Sequence, residues 1–401
     1  MAANEGTLIT SGSIQSAPTD GHRRLAILTY SGVIILYWMS LYIYVASLPA
    51  YVQSKAASLA TAGVVLSMFG LCQALVRIPV GIAADWLGWR KPFFLCGIAL
   101  CGLGAWIMVA SHHAGGLMVG RAITGIAAGA WVPLVVVFSS LFPPKESVRA
   151  AGFLILFQAI GRILASAANG PLNDLGGYSL AFYAAIGVAA LAFLIALTVR
   201  EPRRHTLRPS LRRIVQIFLR KDVLLPSLLS ALGQYVTWGV ALSFIPVFVT
   251  KPLGGTNSTL SVLATLTAVT LAVGSFGASY VAKRFGARRM VTLSFLLYFS
   301  GSLVAAFTHS IAAMITAIII LGLGTGINYP TLMGLSIRRV IESERSIAMG
   351  LHQTVYAVGM FAGPAFCGIL AQDFGIQRMF AITAAIALIL GLLGSWVLDN
   401  D

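Results

Sequence analysis

Apolar residues run in long blocks along this chain, and short polar stretches separate them. Twelve blocks reach the length of about 20 residues that a bilayer-crossing helix needs. They are 25–48, 59–82, 93–111, 116–140, 150–172, 180–198, 223–249, 260–282, 290–308, 311–336, 346–370 and 379–398. The pattern predicts an all-α membrane protein with twelve transmembrane helices. Glycine is frequent, with 41 in the chain, and small residues let membrane helices approach closely.

Composition supports the same picture. The chain is 58% hydrophobic and 10% charged, with a mean hydropathy of +0.88, where a soluble domain carries about 25% charged residues. The net charge of +15 sits in short loops, which points to membrane topology and excludes nucleic acid as the expected partner. Cys72, Cys96, Cys101 and Cys367 all lie in apolar blocks without metal-ligand spacing. They read as packing residues, so neither disulfide, metal nor cofactor is expected. The first 20 residues are polar and lack the apolar core of a signal peptide.

Lysine and arginine set the orientation. With a cytoplasmic amino terminus, 21 of the 27 bases fall on the inner side, three on the outer side (Lys55, Lys251, Arg378) and three inside spans. That asymmetry predicts a multi-pass cell-membrane protein with both termini cytoplasmic. The expected organisation is a tail over 1–24, a six-helix bundle over 25–198, a basic linker over 199–222, a second bundle over 223–398 and a tail over 399–401. Within the linker, Leu211, Ile214, Val215 and Phe218 recur at helical spacing among bases. Two readings stand there: a helix lying on an anionic leaflet, or a solvated linker helix.

The halves repeat each other at a shift of about 198 residues. Gly88 meets Gly286, Tyr37 meets Tyr235, Gly152 meets Gly350 and Gly161 meets Gly359. Two related six-helix halves are a transporter pattern, with the substrate site between them near mid-membrane.

One polar stretch carries a motif. "GIAADWLGWRK" at 81–91 holds Gly81, Asp85, Gly88, Arg90 and Lys91. With the twelve spans, the repeat, and Arg121 followed by Gly125, this resembles the major facilitator superfamily over 25–398. The chain departs from the family pattern at Trp86 and Trp89. The family's antiporter glycine pattern appears at Gly350, Gly359, Gly363 and Pro364, in helix 11 rather than helix 5. The resemblance implies two pseudo-symmetric six-helix bundles that rock about a central site. It also implies that Asp85 latches the amino terminus of helix 11, around Ser346–Gly350; a solvated topology signal is the alternative. Gly81 and Gly88 are read as allowing close approach and a tight turn. In the returning stretch Lys283 stands where its twin has Asp85, so no equivalent latch is expected; Glu146 offers a partner to Lys283 or Arg284.

No acid lies mid-span, but three arginines do. Each costs about 2.5–3.5 kcal/mol at a helix centre unless paired, snorkelling or hydrated. Arg77 is close enough to the inner end to snorkel. Arg121 has Asp174 as a possible partner, and the resemblance associates its position with proton coupling. Arg162 lies near the midplane, with Gln158 one turn away; it reads as an anion anchor or as an interhelical brace. Tyr37 and Tyr44 share one stripe of helix 1 with Tyr30 and Tyr51. Together with Tyr235, Trp238, Asn328, Gln353 and Tyr356 they read as lining the cavity, ordinary interhelical bonding being the alternative. His352 is the histidine within a span and reads either as a proton carrier or as a neutral interhelical bond.

These readings give a secondary active transporter of a small organic solute, anionic or zwitterionic and amphiphilic, with export favoured over uptake. Alternatives are a proton-coupled exporter of drug-like or lipid-like molecules, and a non-transporting receptor or scaffold on the same fold. No ATPase loop motif is present, and nothing in the sequence suggests an enzyme. The expected partners are the solute, membrane lipid and coupling protons, with the chain acting as a monomer.

Overall fold

The structure, a computed structural model, describes residues 20–143, 146–199, 201, 211–341 and 344–398, without the side chains of 20–22, 147–148, 211, 279, 282–283 and 346. The expected tails over 1–19 and 399–401, and most of the linker, lie outside these residues.

All regular structure among the described residues is helical. In the first half, α1 is Asp20–Tyr42, α2 Leu48–Lys55, α3 Leu59–Leu87, α4 Lys91–Ala110, α5 Ala114–Gly129, α6 Trp131–Ser139 and α7 Ser147–Thr198. In the second, α8 is Leu211–Phe218 and α9 is Lys221–Val236. A π-helical turn at Thr237–Phe244 leads into α10, Ile245–Thr250. Then come α11 Asn257–Phe285, α12 Ala287–Phe307, α13 Ile311–Arg338, α14 Arg345–Phe374 and α15 Ile376–Val397.

Eleven stretches are long and apolar enough to cross a membrane, against twelve expected. The difference is α7, which breaks at Gly176 (φ −143°) and Gly177 (φ 66°) into two limbs, each of spanning length. The same junction in the second half, at Gly375 (φ 85°), separates α14 from α15. Gly177 and Gly375 are one repeat apart, as are Gly88 (φ 63°) and Gly286 (φ 79°). At these four places a positive φ excludes most other residues, so the repeat is written into the backbone. Helix 1 breaks at 43–47 before Pro49, and helix 7 turns π-helical before Pro246. A proline lacks the N–H that would close the preceding turn. Large apolar side chains such as Leu75, Trp106, Leu194, Phe276 and Trp396 are exposed all round the helices, as a lipid-facing surface requires.

Glycines set the packing within each bundle. A Cβ on Gly161 would sit 2.5 Å from the carbonyl of Ile35 on α1, and one on Gly359 would run into the carbonyl of Ala231 on α9. Gly359→Val is therefore expected to lower the melting temperature of the purified protein strongly, since overpacking costs about 1–3 kcal/mol or more. Gly350→Val, where nothing lies within 4 Å, is expected to leave it within a degree or two. Equal melting of the two variants would contradict this packing.

The bundles meet along α3 with α14 and along α7 with α11. We call the end carrying the α3–α4 turn and α8 the basic end, and the opposite one the far end. Toward the far end the contact is tight. A Cβ on Gly70 would lie 2.5 Å from Phe361 N, and Gly63 abuts Pro364 and Gly368. Gln372 accepts the Leu59 N–H at 3.1 Å, Asp174 accepts from Asn257 and Ser258 at 3.1 and 2.9 Å, and Ser261 donates to the Ser166 carbonyl. Toward the basic end Ile78 still packs against the cluster containing Ala348 and Leu351. At the basic-end level of Gly81, Gly152, Gly277, Gly334 and Gly350, a Cβ would meet nothing within 4 Å. The bundles are in close contact at the far end, and Ile78 still joins them toward the basic end.

Candidate functional site at the bundle seam

Gly63, Gly70 and Arg77 recur every seven residues, so they form one stripe of α3. The two glycines bring α3 against α14, and Arg77 comes next along the stripe. It lies about 15 Å along α3 from Leu87. It does not snorkel as expected: it is 3% exposed, and Nη1 donates to the Tyr356 hydroxyl of α14 at 3.2 Å. Its Nε has no hydrogen-bond partner.

Other polar groups gather around Tyr356. Gln73, one turn from Arg77, is 5% exposed with Oε1 unpartnered. His352, one turn from Tyr356, is fully buried, and its ring meets that of Tyr356 edge-on at 6.0 Å. Tyr329 of α13 meets Tyr356 edge-on at 5.7 Å. Phe69 of α3 stacks on Trp238 of the π-helical turn, with centroids 5.1 Å apart and planes 18° apart. Arg121 lies over the other arene contact of this group, 4.5 Å from the Phe69 centroid. A cation, several polar tips and flat aromatic walls thus converge from both bundles.

Arg121 is not paired with Asp174, because Asp174 holds α11 at the far end. Arg162 rests 4.4 Å over the Tyr42 ring with Nε unpartnered. It lines a far-end cavity of about 30 Å³ with Ser166, Ala241 and Leu263. That holds about one water, below the roughly 300–1,000 Å³ of ligand pockets.

The tyrosine stripe of helix 1 packs within the first bundle. Tyr37 donates to the Ala127 carbonyl at 2.6 Å and stacks on Trp131; Tyr44 stacks on Phe182. Both are 1% exposed and face the core of their own bundle. Asn328 donates to Ser294 at 2.9 Å, and Tyr235 faces Cys367 within the second bundle. Gln158 and Gln353 are half-buried. Phe69, Gln73, Arg77 and Tyr329 were not singled out as site residues from the sequence. Their signal was the spacing Phe69, Gln73, Arg77, every fourth residue on one helix face.

Asp85 is bound by Arg90 at 2.6 Å. Glu201 accepts the Arg90 and Lys91 N–H groups at 2.9 and 2.6 Å, and Lys91 Nζ reaches the carbonyls of Leu197 and Val199. Burial raises the Glu201 carboxyl above its ordinary value, while these donors pull it back down. Gly88 makes the tight turn, but Gly81 approaches nothing. The acid at the start of α14 is Glu344, bound by Arg213 of α8. The side chains of Ser346 and Lys283 lie outside the described residues; Glu146 is paired with Arg23 and Arg149. On α8, Ile217 is 1% exposed and packs with Val223, Val340 and Leu351. Its apolar face thus docks on protein, which neither linker reading anticipated.

Two six-helix bundles, related by an internal repeat and meeting at a polar mid-depth seam, define a membrane transporter architecture. A family profile described as Major Facilitator Superfamily matches residues 30–250 and 227–401. The chain belongs to that superfamily of transporters. It is 22% identical over 355 residues to the uncharacterized MFS-type transporter MJ1560 of Methanocaldococcus jannaschii, covering 86% of this chain and 90% of that one. It is 22% identical over 358 residues to the quinolone resistance protein NorA of Staphylococcus aureus, covering 84% and 87%. Among solved structures, a bacterial homolog of the human lysosomal transporter Spinster, inward-facing and unoccupied, superposes with a TM-score of 0.78 at 17% identity, over 94% and 97% of the two chains.

Proposed function

We infer that this chain is a secondary active transporter that exports a small amphiphilic organic solute bearing an acid group. The observation carrying this reading is Arg77. It is a buried cation on the seam whose described partner is a neutral phenol, and the acids of the spans stand at their ends, not mid-span. Burying an uncompensated guanidinium is costly, and a bidentate carboxylate or similar anion would offset that cost. In this reading Arg77, rather than Arg162, anchors the acid group. Phe69, Trp238, Tyr329 and Tyr356 supply flat apolar walls for the solute body.

The excess of lysine and arginine at the basic end supports a cytoplasmic location for it, the side from which an exporter would load. The name of the relative NorA is that of a resistance protein, which supports export. Rocking of the bundles about the seam would then expose the site to the other side.

A ligand stabilises a folded protein by about 2.7 kcal/mol at a hundred times its Kd. A thermal-shift series with para-cyclohexylbenzoic acid, a neutral cyclohexylbenzene and cyclohexylamine tests the reading. The acid is expected to raise the melting temperature of the parent and not of Arg77→Ala. Stabilisation by the amine alone would contradict it.

A further inference from the structure

The returning stretch "SYVAKRFGARR" at 279–289 repeats the backbone of the first motif turn but not its charge. At the first turn two acids meet two bases: Asp85 is bound by Arg90, and Glu201 accepts the Arg90 and Lys91 N–H groups. One repeat later Lys283, Arg284, Arg288 and Arg289 flank Gly286, and no acid stands between Asp222 and Glu342. Lys283 takes the place of Asp85. The acid one repeat after Glu201 is Asp399, which with Asp401 lies outside the described residues. Both together would still leave four bases against two acids.

Two of these bases stand over a groove. It has a volume of about 380 Å³ and is lined by Arg288, Arg289, Thr292, Leu293 and Leu296, all of α12. That falls within the roughly 300–1,000 Å³ of small-ligand sites. The lining changes along the helix, from two guanidiniums in the first turn, through a hydroxyl, to two exposed leucines. Leu293 and Leu296 continue the face of Arg289 at steps of four and three. α12 starts here, so its positive end adds to the attraction for an anion. Thr292 donates to Ser395 of α15 at 3.1 Å, which sets α15 beside the groove. The next residue, Trp396, is exposed, and a tryptophan at the end of a span sits at headgroup level.

We propose that this groove binds an anionic phospholipid, its phosphate held by Arg288 and Arg289 and its acyl chains laid along Leu293 and Leu296. Guanidinium groups grip phosphate oxygens with paired hydrogen bonds, and basic pockets beside membrane helices suit anionic headgroups. A free anion would balance the arginines and leave the leucines unused. A neutral lipid would cover the leucines and leave the charge unbalanced. The first turn needs no such ligand, because Asp85 and Glu201 already serve its bases. α12 packs chiefly against α13 and α15, so the groove lies on the second bundle away from the seam, and the assignment does not depend on the solute.

The test reconstitutes the full chain into vesicles of phosphatidylcholine with graded fractions of phosphatidylglycerol, one lipid or the other carrying bromine on its acyl chains. Bromine quenches a nearby indole, and the fluorescence difference between the parent and Trp396→Phe isolates Trp396. Each base near an anionic headgroup is worth roughly fivefold in binding. Half-quenching of Trp396 by phosphatidylglycerol is therefore expected at a roughly tenfold lower fraction than by phosphatidylcholine. Arg288→Gln with Arg289→Gln should abolish that preference, and lysine at both positions should keep most of it. Arg289 is exposed, so Arg289→Glu removes the preference without disturbing a packed side chain. Arg24→Gln with Arg212→Gln takes the same charge from two exposed positions and should leave the preference intact. Equal quenching by the two lipids in the parent overturns the proposal, as does an equal loss in the Arg24 and Arg212 variant, which would make the attraction a diffuse field. Loss of the preference in millimolar sodium phosphate, but not in sodium chloride of equal ionic strength, would assign the groove to a free anion and overturn the lipid.

Discussion

Arg77→Ala is expected to cut solute transport in reconstituted vesicles by roughly ten- to hundredfold or more, while the protein still inserts and folds. This outcome follows from what the side chain does in the unloaded state. It spends burial energy on a cation whose described hydrogen bond goes to a neutral hydroxyl. Removing a buried charge that lacks an opposite partner does not harm stability in the way that breaking an ion pair does. The melting temperature of the variant should equal or exceed that of the parent, a trade of stability against function. A hydrogen bond to a charged group is worth about 1.5–3 kcal/mol, so uptake of an acidic solute should fall roughly ten- to hundredfold or more. Arg77→Lys keeps the charge without the fork and should retain a fraction of the rate. A variant that melts well below the parent would make Arg77 a structural brace. One that transports normally would remove the anion anchor.

Gly70→Leu shifts the protein away from the state in which the bundles are in contact at the far end. A Cβ at this position would lie 2.5 Å from Phe361 N and 2.6 Å from Met360 C, both backbone atoms of the opposite bundle. Overpacking of this kind costs about 1–3 kcal/mol, and it is levied on one of the two alternating states, because the contact exists where the bundles meet. Two states close in energy change population roughly ten- to hundredfold under such a bias. Labelling of a cysteine placed at Ser258, at the far end, should rise from slow to rapid. Gly81→Leu, with nothing within 4 Å, should leave the labelling rate unchanged. Equal rates in the two variants would mean that the seam does not open at this level.

Much of the fold was legible in the sequence because lipid imposes a simple code. Length and apolarity located the spans, and a repeat at 198 residues foretold Gly88 with Gly286. The gap between the blocks 150–172 and 180–198 likewise marked where α7 breaks at Gly176 and Gly177. The site was less legible for a physical reason. A buried tyrosine has the same sequence signature whether it faces a cavity or its own bundle. Tyr37 ends on the Ala127 carbonyl and Tyr356 on Arg77, and no periodicity separates the two. Depth along a helix was readable for Arg77 and Arg162, but facing was not. Arg162 lies at the right depth against Tyr42 and a cavity of about 30 Å³. The depth of Arg77 allows snorkelling, but its position seven residues after Gly70 and fourteen after Gly63 puts it on the face that touches α14. The partners of the motif loop depended on Glu201, which is far from Arg90 and Lys91 in sequence.

The central claim is that the two bundles close over an acidic solute at the seam and that Arg77 drives that closure. Spin labels at Gly81→Cys and Gly350→Cys report it most directly, since a side chain at either position meets nothing within 4 Å. Cys72 and Cys96 are the natural cysteines that are not buried, and both are replaced by serine in this background. The distance between the labels is measured by pulsed electron resonance with and without para-cyclohexylbenzoic acid. The account predicts a new, shorter distance population with the acid in the parent and none in Arg77→Ala. An unchanged distance distribution in the parent at saturating acid, or an equal shift in both proteins, would contradict it.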